Sequence, residues 1–160
     1  MFEELSQHIL DIAMNSLSAN AKKVWISILE SRKHDRLVLR VRDDGCGMDA
    51  ATLKRVLASP TTTKLSRRKP IGLGLAFLRQ TSEMCDGRFQ VRSAPGRGTS
   101  VTASMRLSHI DRPPLGDLNA TILALCAADK KTEVQLNYHS DEQKFSFDSE
   151  ELTTNREVHL

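Results

Sequence analysis

At 160 residues and a net charge of +3, the chain is long enough for one domain with a hydrophobic core and short for two. No apolar run approaches the roughly 20 residues of a membrane span, so no membrane segment is expected. Cys46, Cys85 and Cys126 are odd in number and widely spaced, which argues for reduced thiols in a cytoplasm and against a zinc site. The net charge is too modest to indicate nucleic acid as a partner.

The first predicted element is a helix over residues 8–21, with apolar residues on one broad side. Asp11 and Asn15 are four residues apart and share a narrow polar strip. This strip is either the solvated face of an amphipathic helix or a polar seam that lines a pocket. In the second case the acid and the amide could hold a metal ion or a water molecule. His8 is expected to be a surface histidine.

Two strands and a glycine motif follow. Residues 23–30 and 37–41 alternate apolar with polar side chains, and the polar segment between them predicts a hairpin turn. The second strand runs into D-x-G-x-G, where Asp43 precedes two glycines that permit tight turns and close approach to a ligand. Asp49 is predicted to cap a short helix that reaches Leu57.

Residues 58–71 have no period and are rich in Thr, Ser, Pro and basic residues, so we expect a functional loop such as a lid, or a disordered segment. The loop leads into Gly72-Leu73-Gly74-Leu75 and a helix to about residue 85. Glycines at a helix N-terminus can cradle a phosphate, because free backbone N–H groups and the helix dipole favour an anion.

The remaining elements are strands at 88–93 and 99–107, a helix at 118–128 capped by Asp117, and a final hairpin. A stiff proline-containing connector follows residue 108. We therefore expect a core of residues 1–108 and a helix-plus-hairpin extension of residues 109–160, packed on the same domain.

The order of these motifs resembles the GHKL superfamily of ATP-binding domains, which includes DNA gyrase B, the large heat-shock chaperone ATPase, histidine kinases and MutL-type repair proteins. Asp11 to Asn15 looks like the N box, and residues 43–47 and 72–75 look like the two glycine boxes. Residues 96–99, GRGT, resemble the last box. Within the superfamily, the sequence looks most like the histidine-kinase and anti-sigma-factor branch.

The resemblance implies a Bergerat fold, an α/β two-layer sandwich with a mixed, largely antiparallel sheet and helices on one face. It also implies that Mg-ATP lies between the helices and the lid. The implied nucleotide-binding residues are Asn15, Asp43, Gly45, Gly47, Met48, Lys64, Gly72, Leu73, Gly74, Leu75 and Thr99.

The resemblance also implies roles for individual residues. Asn15 would coordinate Mg²⁺, and Asp43 would accept a hydrogen bond from the adenine amino group. Thr99 would support the adenine through a water or hydroxyl contact, and Lys64 would reach the terminal phosphate when the lid closes. Asp11 stands where hydrolysing branches have a glutamate that activates water, and it is one methylene shorter. Asp11 would act as a base or only orient a magnesium-bound water.

The expected function is that of a small protein kinase or regulatory switch of the histidine-kinase or anti-sigma-factor type. Two alternatives stay open: a non-catalytic, ATP-dependent interaction module, and a slow MutL-like ATPase. The expected partners are ATP, an unidentified protein or phosphoacceptor, and a second copy in a homodimer as an alternative.

Overall fold

A computed structural model describes residues 4–58 and 73–151 of the chain. The described helices are α1 (Leu5–Ser18), α2 (Ala50–Ala58), α3 (Leu73–Met84) and α4 (Leu118–Ala128). The described strands are β1 (Lys23–Ser31), β2 (Arg36–Asp43), β3 (Phe89–Ser93), β4 (Thr99–Arg106), β5 (Glu133–His139) and β6 (Lys144–Asp148).

The strands form one six-stranded sheet in the order β3-β4-β2-β1-β5-β6. Neighbouring strands pair antiparallel except β1 and β5, which are parallel. This confirms the predicted mixed, largely antiparallel sheet. The predicted hairpin over residues 23–41 is also confirmed, because Ser31 lies opposite Arg36 across its turn.

Most apolar side chains of the sheet lie on one face and form the hydrophobic core with three helices. Opposed residues such as Ile26 and Val41, or Leu39 and Ala103, point to the same side because they are cross-strand partners. These residues belong to one buried cluster with Ile9 of α1 and with residues of α3 and α4. The helices therefore cover one face, as in a two-layer sandwich.

Several local predictions agree with the structure. Asp49 caps α2 by accepting a hydrogen bond from the Thr52 N–H at 2.7 Å, and Asp117 caps α4 through the Ala120 N–H at 3.0 Å. None of the described helices is long and apolar enough to cross a membrane. The predicted division at residue 108 stays a prediction, and the loop at 58–71 lies almost entirely outside the described residues.

Helix α1 is buried on more sides than its sequence indicated. It packs against α3 and α4 as well as the sheet. His8 is fully buried, and its Nε2 lies 3.5 Å from Thr81 Oγ1 of α3, so the prediction of a surface histidine was wrong. Ser6 is also buried, and its carbonyl accepts a hydrogen bond from Thr121 of α4 at 3.2 Å. The flanking helices therefore bury polar residues that a single helix would expose.

Burial lowers the pKa of His8 from 6.5 to about 4, although the nearby Asp11 carboxylate opposes the shift. Between these values the unfolded chain binds a proton at His8 and the folded chain does not. Stability therefore falls as the pH drops through this window. From about pH 7 to pH 5 this group should remove about 2 kcal/mol of unfolding free energy, or about 4–8 °C in Tm.

Thermal unfolding of His8→Gln should show less loss of Tm than the parent protein over this pH range. His34→Gln, in the exposed hairpin turn, is the matched control and should keep the parent's pH dependence. An equal loss of Tm in His8→Gln and the parent would contradict a buried, neutral His8.

Candidate functional site

A cavity of about 280 Å³ lies between α1, the end of β2, the start of β4 and the start of α3. Its floor is largely apolar, with aliphatic side chains from the helices and the sheet. The lining residues are Ile12, Asn15, Ser16, Ser18, Ala19, Val41, Asp43, Cys46, Gly47, Met48, Thr52, Leu75, Thr99 and Val101. An apolar cleft with a few fixed polar groups is the usual form of a small-molecule site.

Asp43, the last residue of β2, is the buried acidic group of this cavity, with 7% of its surface exposed. One carboxylate oxygen accepts a hydrogen bond from the Ser16 hydroxyl of α1 at 2.7 Å. The other oxygen accepts from the Gly45 N–H at 2.9 Å and from the Thr99 N–H at 3.2 Å. Three donors therefore fix the orientation of a carboxylate that also faces the cavity.

The segment after Asp43 is tied to two different elements. The Cys46 N–H donates to the carbonyl of Ala19 at the end of α1, at 3.0 Å, and the Cys46 carbonyl accepts from the Gly96 N–H at 2.8 Å. The Met48 N–H donates to Ser93 Oγ at 2.8 Å. These bonds hold the backbone of residues 45–48 along one wall of the cavity.

The Thr99 hydroxyl belongs to a small hydroxyl network at the same wall. Ser93 Oγ donates to the Gly98 carbonyl at 3.0 Å and lies 2.8 Å from Thr99 Oγ1. A serine hydroxyl has one proton, so with that proton on Gly98 the Thr99 hydroxyl is the donor to Ser93. The lone pairs of Thr99 Oγ1 then remain available to a water or a ligand in the cavity.

Asn15 lines the cavity from α1, and Asp11 lies one turn earlier on the same helix, against α3. Both are half-buried, and Asn15 lines the cavity, as the pocket interpretation of the polar strip predicts. The Asp11 carboxylate lies directly against Gly74 in the first turn of α3, where a Cβ would overlap it. A glycine at this position therefore allows the carboxylate to approach the helix backbone.

The structure brings most of the predicted nucleotide residues to one place. Asn15, Asp43, Gly47, Met48, Leu75 and Thr99 line the same cavity, and Gly45 donates to Asp43. Leu73 begins α3 and is followed by Gly74, whereas Lys64 and Gly72 lie outside the described residues.

Sequence reasoning missed Ser16 and Ser93, both of which act through hydrogen bonds to residues of the site. Only the placement of Ser16 on the apolar side of α1 signalled its burial. Cys46 is exposed and lines the cavity.

Residues 1–109 match the family described as histidine kinase-, DNA gyrase B-, and HSP90-like ATPase. The chain belongs to this family, which confirms the resemblance seen in its motifs.

Two curated relatives are sensor proteins. A sensor protein of Shewanella frigidimarina is 28% identical over 110 residues, which cover 68% of this chain and 17% of that protein. The sensor histidine kinase ZraS of Escherichia coli is 28% identical over 114 residues, which cover 71% of this chain and 24% of ZraS. The chain thus matches a quarter or less of the length of these relatives.

Among solved structures, the Aquifex aeolicus MutL ATPase domain complexed with ADP superposes with a TM-score of 0.56 at 15% identity. The match covers 92% of this chain and 64% of the MutL chain. At this identity the likeness shows a shared fold.

Two glycines near the site provide a matched test of backbone packing. Gly47 and Gly96 have φ of +70° and +74°, so alanine at either position carries the same left-handed strain of about 1–2 kcal/mol. A Cβ at Gly47 would also overlap the Ala94 carbonyl, whereas a Cβ at Gly96 meets nothing within 4 Å. Urea unfolding should therefore show Gly47→Ala to be less stable than Gly96→Ala by about 1–3 kcal/mol. Equal losses would show that the turn at Gly47 is not packed as described.

Proposed function

We propose that the protein binds Mg-ATP in this cavity and acts as a small protein kinase or regulatory switch of the histidine-kinase or anti-sigma-factor type. The observation that carries the proposal is the buried Asp43 carboxylate, held in a fixed orientation and directed into an apolar cleft. Membership of an ATPase family supports the choice of ATP over other small molecules.

The adenine base fits the end of the cavity that contains Asp43. Val41 and Val101 are cross-strand partners on the floor of the cavity and offer apolar contact to one face of the ring. A carboxylate offers about two acceptor sites on each oxygen. Gly45 and Thr99 occupy both sites of one Asp43 oxygen, and Ser16 occupies one site of the other, so the oxygen bonded to Ser16 can accept one more hydrogen bond. The exocyclic amino group of adenine donates such a bond, whereas guanine has a carbonyl at that position.

The phosphate end fits the side of the cavity that contains Asn15, Asp11 and the N-terminus of α3. An amide oxygen and a carboxylate are hard oxygen donors of the kind that Mg²⁺ prefers. In this proposal Asn15 coordinates Mg²⁺, which neutralises phosphate charge when it is bound. The first turn of α3 presents backbone N–H groups that suit a phosphate. Lys64 is proposed to contact the terminal phosphate.

The kinase or switch is favoured over a slow ATPase by two considerations. Curated relatives of this chain include sensor proteins and sensor histidine kinases. Asp11 is shorter than the glutamate of hydrolysing branches, and it lies against the helix backbone at Gly74. A MutL-like ATPase remains the second candidate, because the MutL domain matches 92% of this chain in fold.

The first prediction concerns Asp43. With Mg-ATP at about a hundred times its Kd, binding should stabilise the fold by roughly 2.7 kcal/mol, or about 5–10 °C in Tm. Asp43→Asn should lose most of this ATP-induced shift, because an amide replaces one of the two acceptor oxygens. The Tm of each variant with Mg-ATP is compared with the Tm of the same variant without ligand, so that a change in basal stability does not affect the measured shift.

Asp44→Asn is the matched control for this experiment. Asp44 is the exposed neighbour whose carboxylate accepts from the Lys22 and Lys23 N–H groups, away from the cavity. The Asp44→Asn variant should keep the full ATP-induced shift in Tm. A full shift in Asp43→Asn would contradict the adenine assignment.

The second prediction separates Asp11 from Asn15. If Asp11 is a general base, Asp11→Asn should bind Mg-ATP with near-normal affinity and lower turnover by about 10²–10⁴-fold. Asn15→Ala should instead weaken the magnesium-dependent part of ATP affinity. Calorimetry with and without Mg²⁺ measures affinity, and phosphate release measures turnover. Wild-type turnover in Asp11→Asn would leave Asp11 with only an orienting role.

Incubation with ATP labelled on the γ-phosphate, alone and with a cell extract, distinguishes the candidate functions. A labelled protein supports the kinase, and free phosphate alone supports the ATPase. Binding without either product supports the non-catalytic interaction module. Absence of ATP binding would contradict all of them.

A further inference from the structure

Over β2, β3 and β4, the face of the sheet opposite the helices is basic, whereas Glu133 and Asp148 lie on the same face in β5 and β6. Successive side chains of β2, β3 and β4 point to opposite faces of the sheet, so the residues between the core positions point away from the helices. Five arginines occupy these positions and all are exposed: Arg36, Arg40, Arg42, Arg92 and Arg106. We call this surface the basic face.

The strand register places the arginines in rows across the sheet. Arg42 and Arg92 both lie opposite Ser100, so the three side chains form one row over β2, β4 and β3. Trp25 of β1 extends this row, because it lies opposite Arg42. Arg40, Thr102 and Gln90 form the adjacent row. With strands about 4.8 Å apart, positive charges repeat every one or two strands over a flat surface.

This charge is largely uncompensated within the described part of the chain. Among the described residues, Arg106 is the one member of the five that forms an ion pair, an exposed contact of 3.4 Å with Asp86. The acidic residue of these three strands, Asp43, faces the cavity on the opposite side. Arg36 and Arg106 are direct cross-strand partners, an arrangement of like charges that destabilises a sheet. An anion bound to this face would relieve that repulsion.

Trp25 provides an aromatic group within the same surface. It is half-buried, with the Arg42 guanidinium carbon 4.8 Å and the Lys23 ammonium 5.2 Å from its ring centroid. A guanidinium held over an aromatic ring offers a second flat surface on which a base can stack. Serine, threonine and glutamine side chains lie between the arginines and can donate hydrogen bonds to phosphate oxygens.

We propose that the basic face binds single-stranded nucleic acid, with phosphates on the arginine rows and a base stacked at Trp25 and Arg42. An acidic protein is the competing occupant, but protein interfaces have an apolar centre and exclude charge from it. The centre of the basic face consists of Arg40, Thr102 and Ser104, with Val38 as its one apolar member on β2. An arginine array with one aromatic on an open sheet is the combination found in single-strand binding surfaces.

This proposal revises the expectation drawn from net charge. The chain carries a net charge of only +3, because acidic residues elsewhere offset the arginines. The alternation of the strands, however, directs the arginines to one side of the sheet. The proposal is independent of ATP binding, since the basic face and the cavity lie on opposite sides of that sheet.

The test measures the anisotropy of a fluorescein-labelled oligothymidylate of about 20 nucleotides, longer than the ~4–16 nucleotides that one binding fold covers. The wild-type protein should bind at low salt with a Kd of about 1–100 µM. The triple variant Arg40→Gln, Arg42→Gln, Arg92→Gln should bind at least about tenfold more weakly. Its slope of log K against log salt should be smaller by about 2. Saturating Mg-ATP should not displace the oligothymidylate from the wild-type protein.

A second triple variant, Lys54→Gln, Lys130→Gln, Lys131→Gln, is the matched control. It removes three exposed positive charges outside the basic face and should bind the oligonucleotide like the parent protein. Unchanged Tm values should accompany both triple variants. If the arginine variant unfolds, Arg92→Gln alone replaces it and should lower the salt slope by about 0.7.

Trp25 reports the location of binding, because it is the single tryptophan of the chain. Oligothymidylate should quench the Trp25 fluorescence. Polyglutamate, added at the same concentration of negative charge, should neither quench the Trp25 fluorescence nor displace the labelled oligonucleotide. The proposal is overturned by absence of oligonucleotide binding, by equal losses in the two triple variants, or by competition from Mg-ATP. Binding of polyglutamate without oligonucleotide binding would assign the face to an acidic protein instead.

Discussion

The hydrogen bonds to the Asp43 carboxylate are the constraint on which both the fold and the site depend. A buried carboxylate is costly unless donors surround it. Here the donors come from α1, from the turn after β2 and from the start of β4. These bonds fix how α1 lies on the sheet and where β4 begins. They also orient an acidic group that faces the cavity, so the contacts that assemble the domain also pre-organise its site.

The period of two in β2 separates the two proposed activities of the protein. Asp43 points toward the helices, and Arg42, one residue earlier, points to the basic face. The same alternation applies along β4, where Thr99 belongs to the cavity wall and Ser100 to an arginine row. An apolar core lies behind one face, and the other face has no helix over its described strands. The sheet thus presents two chemically different surfaces for two kinds of anion.

Much of this organisation could be predicted from the sequence. Alternating residues predicted β1 and β2, the caps Asp49 and Asp117 predicted two helix starts, and the glycine motif placed Asp43 at a strand end. The parallel pairing of β1 with β5 could not be predicted from local pattern, because it joins segments about a hundred residues apart.

The partners that bury polar side chains on α1 could not be predicted from local pattern either. Ser16 and His8 are buried by partners from β2 and α3, and Ser6 by α4. Those partners come from distant segments of the chain, and a helical pattern describes only the helix itself.

The proposed function depends most on the selection of adenine by Asp43 through the amino group of the base. Calorimetry can test this selection directly. Wild-type protein in Mg²⁺ is titrated with ATP and with N6,N6-dimethyl-ATP, which keeps the triphosphate but has no amino N–H donor. A hydrogen bond to a buried charge contributes about 1.5–3 kcal/mol, so the dimethyl analogue should bind at least about tenfold more weakly. Equal affinity for the two nucleotides would contradict the account.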